Sequence, residues 1–139
     1  NYFACVRLTM NVLPSMTARK DGHVINVSSI GVLTNAPRFS AYVASKAAVI
    51  GMTRGMAREL GKDRIRVNAV APSAVMTEGT EEFFGAKLEK AKQVIAAGQL
   101  IQRNLQVEDL TGTIIYLASD SSAFVTGQTH MVDGGSWFL

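Results

Sequence analysis

Residues 40–61 constrain the fold of this chain more than any other stretch. They contain no proline and are rich in alanine, which has the highest intrinsic helix propensity. Ser40 is a residue type that caps helix N-termini and Gly61 one that ends helices, so the pattern predicts a single long helix. Tyr42 and Lys46 are four positions apart, about one helical turn, which predicts that the phenol and the ammonium lie side by side on one face.

A tyrosine next to a lysine can exchange protons near neutral pH. A free phenol, with a pKa of about 10, is a poor acid or base there, because the best proton exchanger has a pKa close to the working pH. A fixed cation stabilises the phenolate, so Lys46 would make Tyr42 a better proton donor and acceptor. The alternative is that Tyr42 packs against a sheet while Lys46 extends to water. A lone Tyr-x-x-x-Lys pattern is short and common, so the surrounding residues must decide between the two.

An apolar run of strand character, residues 22–29, precedes this helix and ends in two hydroxyl residues. In an open parallel sheet, ligands bind beyond the carboxyl ends of the strands, and Ser29 at such an end stands thirteen residues before Tyr42. The alternative is that Ser28 or Ser29 only satisfies backbone groups. Position favours Ser29 as the functional residue, and we interpret Asn26, inside the strand, as a structural hydrogen-bonding residue.

These residues resemble the catalytic motif of the short-chain dehydrogenase/reductase family. In that family a Ser thirteen residues before the Tyr, the Tyr-x-x-x-Lys pair and an upstream helix Asn form a catalytic tetrad. Ser29, Tyr42 and Lys46 match by spacing, and Asn1 is similar to the tetrad Asn. The resemblance implies hydride transfer between NAD or NADP and a small-molecule carbonyl or secondary alcohol.

The resemblance continues downstream to about Gly135. Residues 66–72 resemble the next strand of the family and its Pro-Gly turn, although Ser73 replaces the Gly. Glycine is favoured where the backbone approaches a ligand, so Ser73 either tolerates the turn or displaces the cofactor slightly. Residues 126–128 and 132–135 resemble the branch with acyl-carrier-protein reductases and secondary-alcohol dehydrogenases. The cofactor contacts that the resemblance implies are Tyr42, Lys46, Pro72, Ser73, Val75 and Thr77, the last at the nicotinamide carboxamide.

The predicted fold class is α/β, the C-terminal half of a doubly wound, Rossmann-type parallel sheet. A chain of 139 residues that is 47% apolar and 18% charged suits one globular domain. No Thr-Gly-x-x-x-Gly-x-Gly turn follows an early strand, and the first half of such a sheet carries that phosphate-binding turn. We therefore expect residues 1–139 to be a partial dinucleotide-binding dehydrogenase domain that carries the catalytic half, without the first nucleotide-binding half.

The remaining pattern predicts the other elements. We expect residues 77–102 to form a lid segment over the substrate, in which Phe83 or Phe84 lines an apolar pocket or simply packs within the lid. Asp133 is interpreted as structural. The other elements that we predict are a helix over 1–18 that Pro14 distorts, a loop over 30–39, a strand over 65–70, a helical run over 86–100, a helix over 107–119 and a strand over 129–132.

The helix over residues 40–61 also predicts an assembly. Apolar residues go nearly all round it between Ala41 and Met52, and a helix of that kind is buried on more than one side. We expect a homodimer or homotetramer in which this helix and the first helix pack against their symmetry mates. The resemblance points the same way, since members of the family are commonly dimeric or tetrameric.

Composition argues against several other classes of protein. The net charge of +3 is mild and the basic residues are scattered, which argues against nucleic-acid binding. No run of about 18 apolar residues occurs, which argues against a membrane span. The single Cys5 and two histidines exclude an internal disulfide and a cysteine–histidine metal cage. We expect a cytoplasmic enzyme without a metal.

Two alternatives to a dehydrogenase remain open from the sequence. An epimerase or dehydratase of the same superfamily shares the Tyr-Lys pair, although the compact ending at residues 133–135 argues against it. A non-catalytic fragment or interaction module is the other alternative. Without the first nucleotide-binding half, such a chain would bind no dinucleotide and would expose a sheet edge.

Overall fold

The structure is a computed structural model that describes residues 2–35 and 37–138. Its helices are α1 (Tyr2–Arg19), α2 (Gly31–Thr34), α3 (Ser40–Leu60), α4 (Glu78–Phe84), α5 (Leu88–Ala97) and α6 (Val107–Ala118), and its strands are β1 (Gly22–Val27), β2 (Ile65–Pro72) and β3 (Thr129–Val132). Short 3₁₀ turns cover Gly61–Asp63, Gly85–Lys87 and Asp120–Ser122.

The three strands form one parallel sheet in the order β1-β2-β3. Gly22 pairs with Ile65 and Ala69 with Thr129, which sets the register of the two ladders. Parallel neighbours need a crossover connection, which α3 supplies between β1 and β2 and the α4–α6 region supplies between β2 and β3. All three carboxyl ends therefore lie at one edge of the sheet. This arrangement confirms the predicted α/β fold class.

The central strand β2 is buried at every position because helices and loops cover both of its faces. Successive side chains of a strand point to opposite faces. Ile65 and Val67 pack with Ala57 of α3, and side chains of α1, β1 and α3 close this core: Leu13, Met16, Val24, Met56 and Leu60. Helix α6 packs against all three strands.

Two polar side chains of β2 tie the other face to the region that follows α6. Arg66 Nη1 donates to Ser122 Oγ at 2.8 Å and its Nη2 to the Ser119 carbonyl at 3.0 Å. Asn68 Nδ2 donates to the Val125 carbonyl at 2.8 Å, and its Oδ1 accepts from the Gln128 amide at 3.0 Å. Buried polar groups need such hydrogen-bond partners. These bonds hold the residues that precede β3 against β2, so that β3 lies beside it.

Several predicted boundaries were wrong. The expected loop over residues 30–39 contains the helix α2. Ser40 is the first residue of α3 rather than its cap, since Phe39 takes the N-cap position without a side-chain hydrogen bond. The predicted end of this helix is confirmed, since Gly61 is the C-cap of α3, although it keeps a right-handed φ of −58° and continues into a 3₁₀ turn. The helical run expected over residues 86–100 is shorter: α5 covers Leu88–Ala97 and follows a 3₁₀ turn that begins at Gly85, whose φ is 49°.

The outer helices bear on the predicted assembly. Helix α3 buries one stripe, formed by Val49, Thr53 and Ala57, and Gly51 and Gly55 have no neighbour within 4 Å of the position of an added Cβ. Burial of a second side of α3 therefore stays a prediction about an assembly. Across residues 2–35 and 37–138, no helix has both the length and the apolarity needed to cross a bilayer.

Candidate active site

The carboxyl end of β1 is fixed to both β2 and α3. The Ser28 amide donates to the Val70 carbonyl at 2.8 Å and the Ile30 amide to the Pro72 carbonyl at 3.1 Å, so the ladder to β2 continues past the strand. Ser28 is buried, and its Oγ donates to the backbone carbonyl of Lys46 at 3.0 Å. The chain at Ser29 therefore leaves the sheet in a defined direction.

Ser29 and Tyr42 face the same space around Gly31. Ser29 Oγ accepts from the Gly31 amide at 3.0 Å. A Cβ placed on Gly31 would lie 3.2 Å from Ser29 Oγ and 3.5 Å from Tyr42 Cε1. The missing side chain thus leaves room for the serine hydroxyl and the tyrosine ring to approach one point. Ser29 serves a backbone group, as the alternative reading expected, and also lies beside Tyr42.

Lys46 lies one turn along α3 from Tyr42 and points back to the strand end. Its Nζ donates to the Val27 carbonyl at 2.9 Å and lies 5.8 Å from the centroid of the Tyr42 ring. Tyr42 is 38% exposed, and its hydroxyl makes no hydrogen bond to any residue that the structure describes. The lysine therefore binds protein rather than water alone, and the phenol is open to a ligand. Asn1, the fourth predicted residue, lies outside the described residues.

The predicted cofactor residues follow the carboxyl end of β2. Pro72 ends the strand and is buried, and Ser73 is buried with its amide donating to the Val132 carbonyl at 3.1 Å. Val75 forms an isolated parallel bridge with Leu105. Thr77 is the N-cap of α4 and accepts from the Thr80 amide at 3.2 Å.

The Ser73 side chain points into the protein. Its Oγ donates to Gln99 Oε1 at 2.8 Å, and its φ lies outside the left-handed region that favours glycine. Serine is therefore accommodated at this turn without backbone strain.

Gln99 is a buried residue that sequence reasoning missed. Besides accepting from Ser73, its Nε2 donates to the carbonyl of Arg103. The position of an added Cβ on Gly134, which has a φ of 63°, lies 3.4 Å from the Gln99 side chain. A lone glutamine after a helix carries no periodic signal, so nothing in the sequence marks it. Gln99 nevertheless joins the end of the lid segment to the turns after β2 and β3.

An ion pair joins α6 to the residue that directly follows the lid segment. Arg103 donates from Nη1 and Nη2 to the two carboxylate oxygens of Asp109 at 2.6 and 2.7 Å. These hydrogen bonds, helped by the Gln106 amide, lower the pKa of Asp109 to about 2. The same pairing raises the pKa of Arg103 above its ordinary value. A cavity of about 210 Å³ lies beside this pair and the end of β3, lined by Gln99, Ile101, Arg103, Leu105, Asp109, Val132 and Gly134.

The donors at the strand ends fit a nicotinamide cofactor. Dinucleotides bind outside the carboxyl ends of parallel strands, where the structure places Lys46, Tyr42 and the residues after Pro72. An ammonium has three donors, and the bond to Val27 uses one of them. Lys46 can therefore donate further hydrogen bonds to a bound ribose while it stays attached to the strand.

A parallel α/β sheet with hydroxyl, phenol and ammonium groups at its carboxyl edge defines a domain of Rossmann type, and the solved relatives share this fold. The chain belongs to the short-chain dehydrogenase/reductase family, in the branch of the acyl-carrier-protein reductases. The family model that matches it, over residues 1–136, is described as enoyl-(acyl carrier protein) reductase. The predicted family is therefore confirmed.

Individual relatives show how much of such a protein the chain represents. A 3-oxoacyl-(acyl-carrier-protein) reductase from Thermotoga maritima is 41% identical over 128 residues, which are 92% of this chain and 50% of that protein. The chain spans about half the length of the curated relatives that it matches.

Two solved structures have the same fold and bound nicotinamide cofactors. A 3-oxoacyl-(acyl-carrier protein) reductase from Brucella melitensis with bound NAD has a TM-score of 0.86 and 31% identity, and the match covers 100% of this chain and 50% of that one. A gluconate 5-dehydrogenase from Burkholderia cenocepacia in complex with NADP and tartrate has a TM-score of 0.87 and 32% identity, covering 95% of this chain and 51% of that one. Both proteins are named as oxidoreductases, but the substrates in their names differ.

Proposed function

We propose that residues 1–139 are the catalytic half of an NAD- or NADP-dependent dehydrogenase/reductase that interconverts a small-molecule carbonyl and a secondary alcohol. One observation carries this proposal: Ser29 Oγ and the Tyr42 ring border the same space beside Gly31, and Lys46 Nζ lies 5.8 Å from the ring centroid. The NAD and NADP in the two solved relatives support a nicotinamide cofactor.

Each side chain has a distinct task in this proposal. A nicotinamide held by these residues would supply the hydride that the substrate carbon gains in reduction, and would accept it in oxidation. Tyr42 gives a proton to the substrate oxygen in reduction and takes it back in oxidation, while Ser29 donates a hydrogen bond to the same oxygen. Lys46 stabilises the phenolate of Tyr42 and binds the ribose of the cofactor. Asn1 supports a water relay that returns protons to Lys46.

The cofactor is held by residues from both strand ends. Tyr42 and Lys46 bind it from α3, and Pro72, Ser73, Val75 and Thr77 bind it from the chain after β2. Thr77 also caps α4, so a cofactor contact at Thr77 would be linked directly to the position of the lid segment. Ser73 binds through its backbone carbonyl, since its hydroxyl is bonded to Gln99 and its amide to Val132.

We further propose that the whole protein is a cytoplasmic homodimer or homotetramer that binds neither nucleic acid nor a membrane. Support for an assembly comes from α1, whose large apolar side chains Phe3, Leu8, Met10 and Val12 are exposed. Light scattering on the full-length protein tests this, and a monomer at micromolar concentration would contradict it.

Replacing Tyr42 by phenylalanine in the full-length protein tests the proposed chemistry. The ring stays but the transferable proton is lost, so we expect kcat to fall about a thousandfold. The cofactor Kd should change far less than kcat, because Lys46 and the residues at the end of β2 still hold the cofactor. Tyr116→Phe is the matched control, because Tyr116 has the same 38% exposure and lies on α6. Unchanged turnover in Tyr42→Phe would contradict the assignment, whereas an intact protein without net redox turnover would favour an epimerase or dehydratase.

A further inference from the structure

A row of aromatic rings leads from Tyr42 to the lid segment. The Phe39 ring lies 6.1 Å from the Tyr42 ring, centroid to centroid, in an edge-on arrangement. Phe39 in turn lies 6.0 Å from Phe83, and Phe83 lies 5.2 Å from Phe84. Phe39, Phe83 and Phe84, named here the aromatic cluster, thus bring α4 next to the residue proposed to transfer the proton.

The aromatic cluster presents apolar surface at this site. Phe83 is 66% exposed, and Phe39 and Phe84 are half-buried, so the rings are only partly covered by one another. A contiguous apolar patch beside a few polar groups, here Ser29, Tyr42 and Lys46, is typical of a ligand-binding surface. Phe124 shows the contrast, since it is fully exposed but has no ring near it among the described residues, and a single exposed apolar residue needs no explanation.

The helix that carries Phe83 and Phe84 offers no positive charge. Within α4 the charged residues are Glu78, Glu81 and Glu82, all exposed. Lys92 of α5 lies 3.6 Å from Glu81 and is thereby partly neutralised. A substrate group that rests on this helix therefore meets rings and carboxylates, which favours a neutral apolar group over a carboxylate or phosphate.

We propose that the aromatic cluster receives an apolar substituent of the substrate whose reacting oxygen lies at Ser29 and Tyr42. The substrate class is then neutral ketones and secondary alcohols that carry a bulky cyclic or aromatic group next to the reacting carbon, rather than polyhydroxylated sugars. Within the cluster, Phe83 contacts Phe84 edge-on and contacts Phe39 at a tilt, and an aromatic substituent can make contacts of the same two kinds with these rings. This inference rests on the proposed function and adds the substrate class.

The experiment uses the full-length protein with a phenyl ketone, butan-2-one and a keto-sugar as probes. Wild-type protein should have the highest kcat/KM for the phenyl ketone. Phe83→Ala should lower that value about tenfold or more while changing the value for butan-2-one less than about twofold, and Phe83→Leu should restore part of the loss. Phe124→Ala is the matched control and should change neither. Since Phe83 is mostly exposed, the melting temperature of Phe83→Ala should match the wild type.

Binding of 1-phenylethanol in the presence of oxidised cofactor, measured by calorimetry, gives a second readout that needs no turnover. Wild-type protein that neither reduces the phenyl ketone nor binds 1-phenylethanol overturns the inference, as does an equal loss on both ketones or a preference for the keto-sugar. If Tyr42→Phe abolishes turnover of a probe while Phe83→Ala leaves unchanged the ratio of kcat/KM for the phenyl ketone to that for butan-2-one, only the substrate class is wrong. If Tyr42→Phe turns over normally, the proposed function itself is wrong.

Discussion

Two regions of the candidate site are built differently. One is the end of β1 together with the first turns of α3, and the other is the lid segment. At the β1 end, Ser28 Oγ and Lys46 Nζ bond in opposite directions between strand and helix, at 3.0 and 2.9 Å. Helix α3 itself is anchored by a buried stripe, whereas neither α4 nor α5 contains a buried residue. Segments with little buried apolar contact are those that open most easily. The proposed proton-transfer group is therefore held by the scaffold, and the surface that would select the substrate is free to adjust.

Among changes that keep Tyr42, Lys46→Met should have the largest effect on the region held by the scaffold. Methionine keeps the apolar stem but removes the cation that stabilises the phenolate, so we expect kcat to fall about a hundredfold or more. The cofactor Kd should also rise, because Lys46 is proposed to bind the ribose. The measurements are kcat and the cofactor Kd on the full-length protein.

The matched control for that change is Lys62→Met, which alters an exposed lysine in the turn at the far end of α3. It should leave both kcat and the cofactor Kd unchanged. A Lys46 variant that loses thermal stability but keeps the wild-type kcat and cofactor Kd would show that the residue only ties α3 to Val27.

Gly31→Ala tests whether the catalytic end depends on the open space between Ser29 and Tyr42. The added methyl would lie 3.2 Å from Ser29 Oγ, which must move by a few tenths of an ångström. Small displacements of reacting groups are costly, and we expect kcat to fall about tenfold with little change in melting temperature. Gly112→Ala makes the same change in α6, where nothing lies within 4 Å, and should keep full activity. Equal activity of the two variants would show that the approach of Ser29 to Tyr42 is not needed.

The contrast between the two regions also explains which features the sequence predicts. Tyr42 and Lys46 follow from helical spacing, because a long alanine-rich helix fixes which residues share a face. Asn26 was predicted to be structural, and its Nδ2 donates to Thr53 Oγ1 at 2.9 Å. Asp133 was predicted likewise, and its carboxylate accepts from the amides of Gly135 and Trp137 at 3.1 and 3.0 Å. Both residues lie where the local backbone, a strand for Asn26 and a turn for Asp133, holds the side chain next to its hydrogen-bond partners.

What the sequence does not predict depends on contacts between distant residues. Phe39 and Phe83 are far apart in the chain, and no local pattern indicates that their rings meet. Gln99 is identified only by its bonds across to Ser73 and Arg103. The four-residue helix α2 is too short for apolar periodicity to reveal it. Substrate selection is proposed to reside in contacts of this kind, which is why the sequence predicts the chemistry better than the substrate.

The smallest expected effect concerns the ion pair at the end of the lid segment. Pairing with Arg103 lowers the pKa of Asp109 to about 2, below its ordinary value. A depressed carboxyl pKa adds stability at pH values above the ordinary pKa, and that stability is lost as the pH falls from about 4 toward about 2.

Asp109→Asn should therefore lower the melting temperature slightly at pH 7, and the difference from wild type should shrink through that acid range. The effect stays small because the pair is at the surface and screened by solvent. Glu108→Gln is the matched control, an exposed neighbour in the same first turn of α6. Hydrogen exchange should quicken over residues 99–106 in Asp109→Asn while the Tyr42-dependent rate stays the same. A fall in that rate without a change in substrate preference would show instead that the lid segment and the end of β1 are coupled.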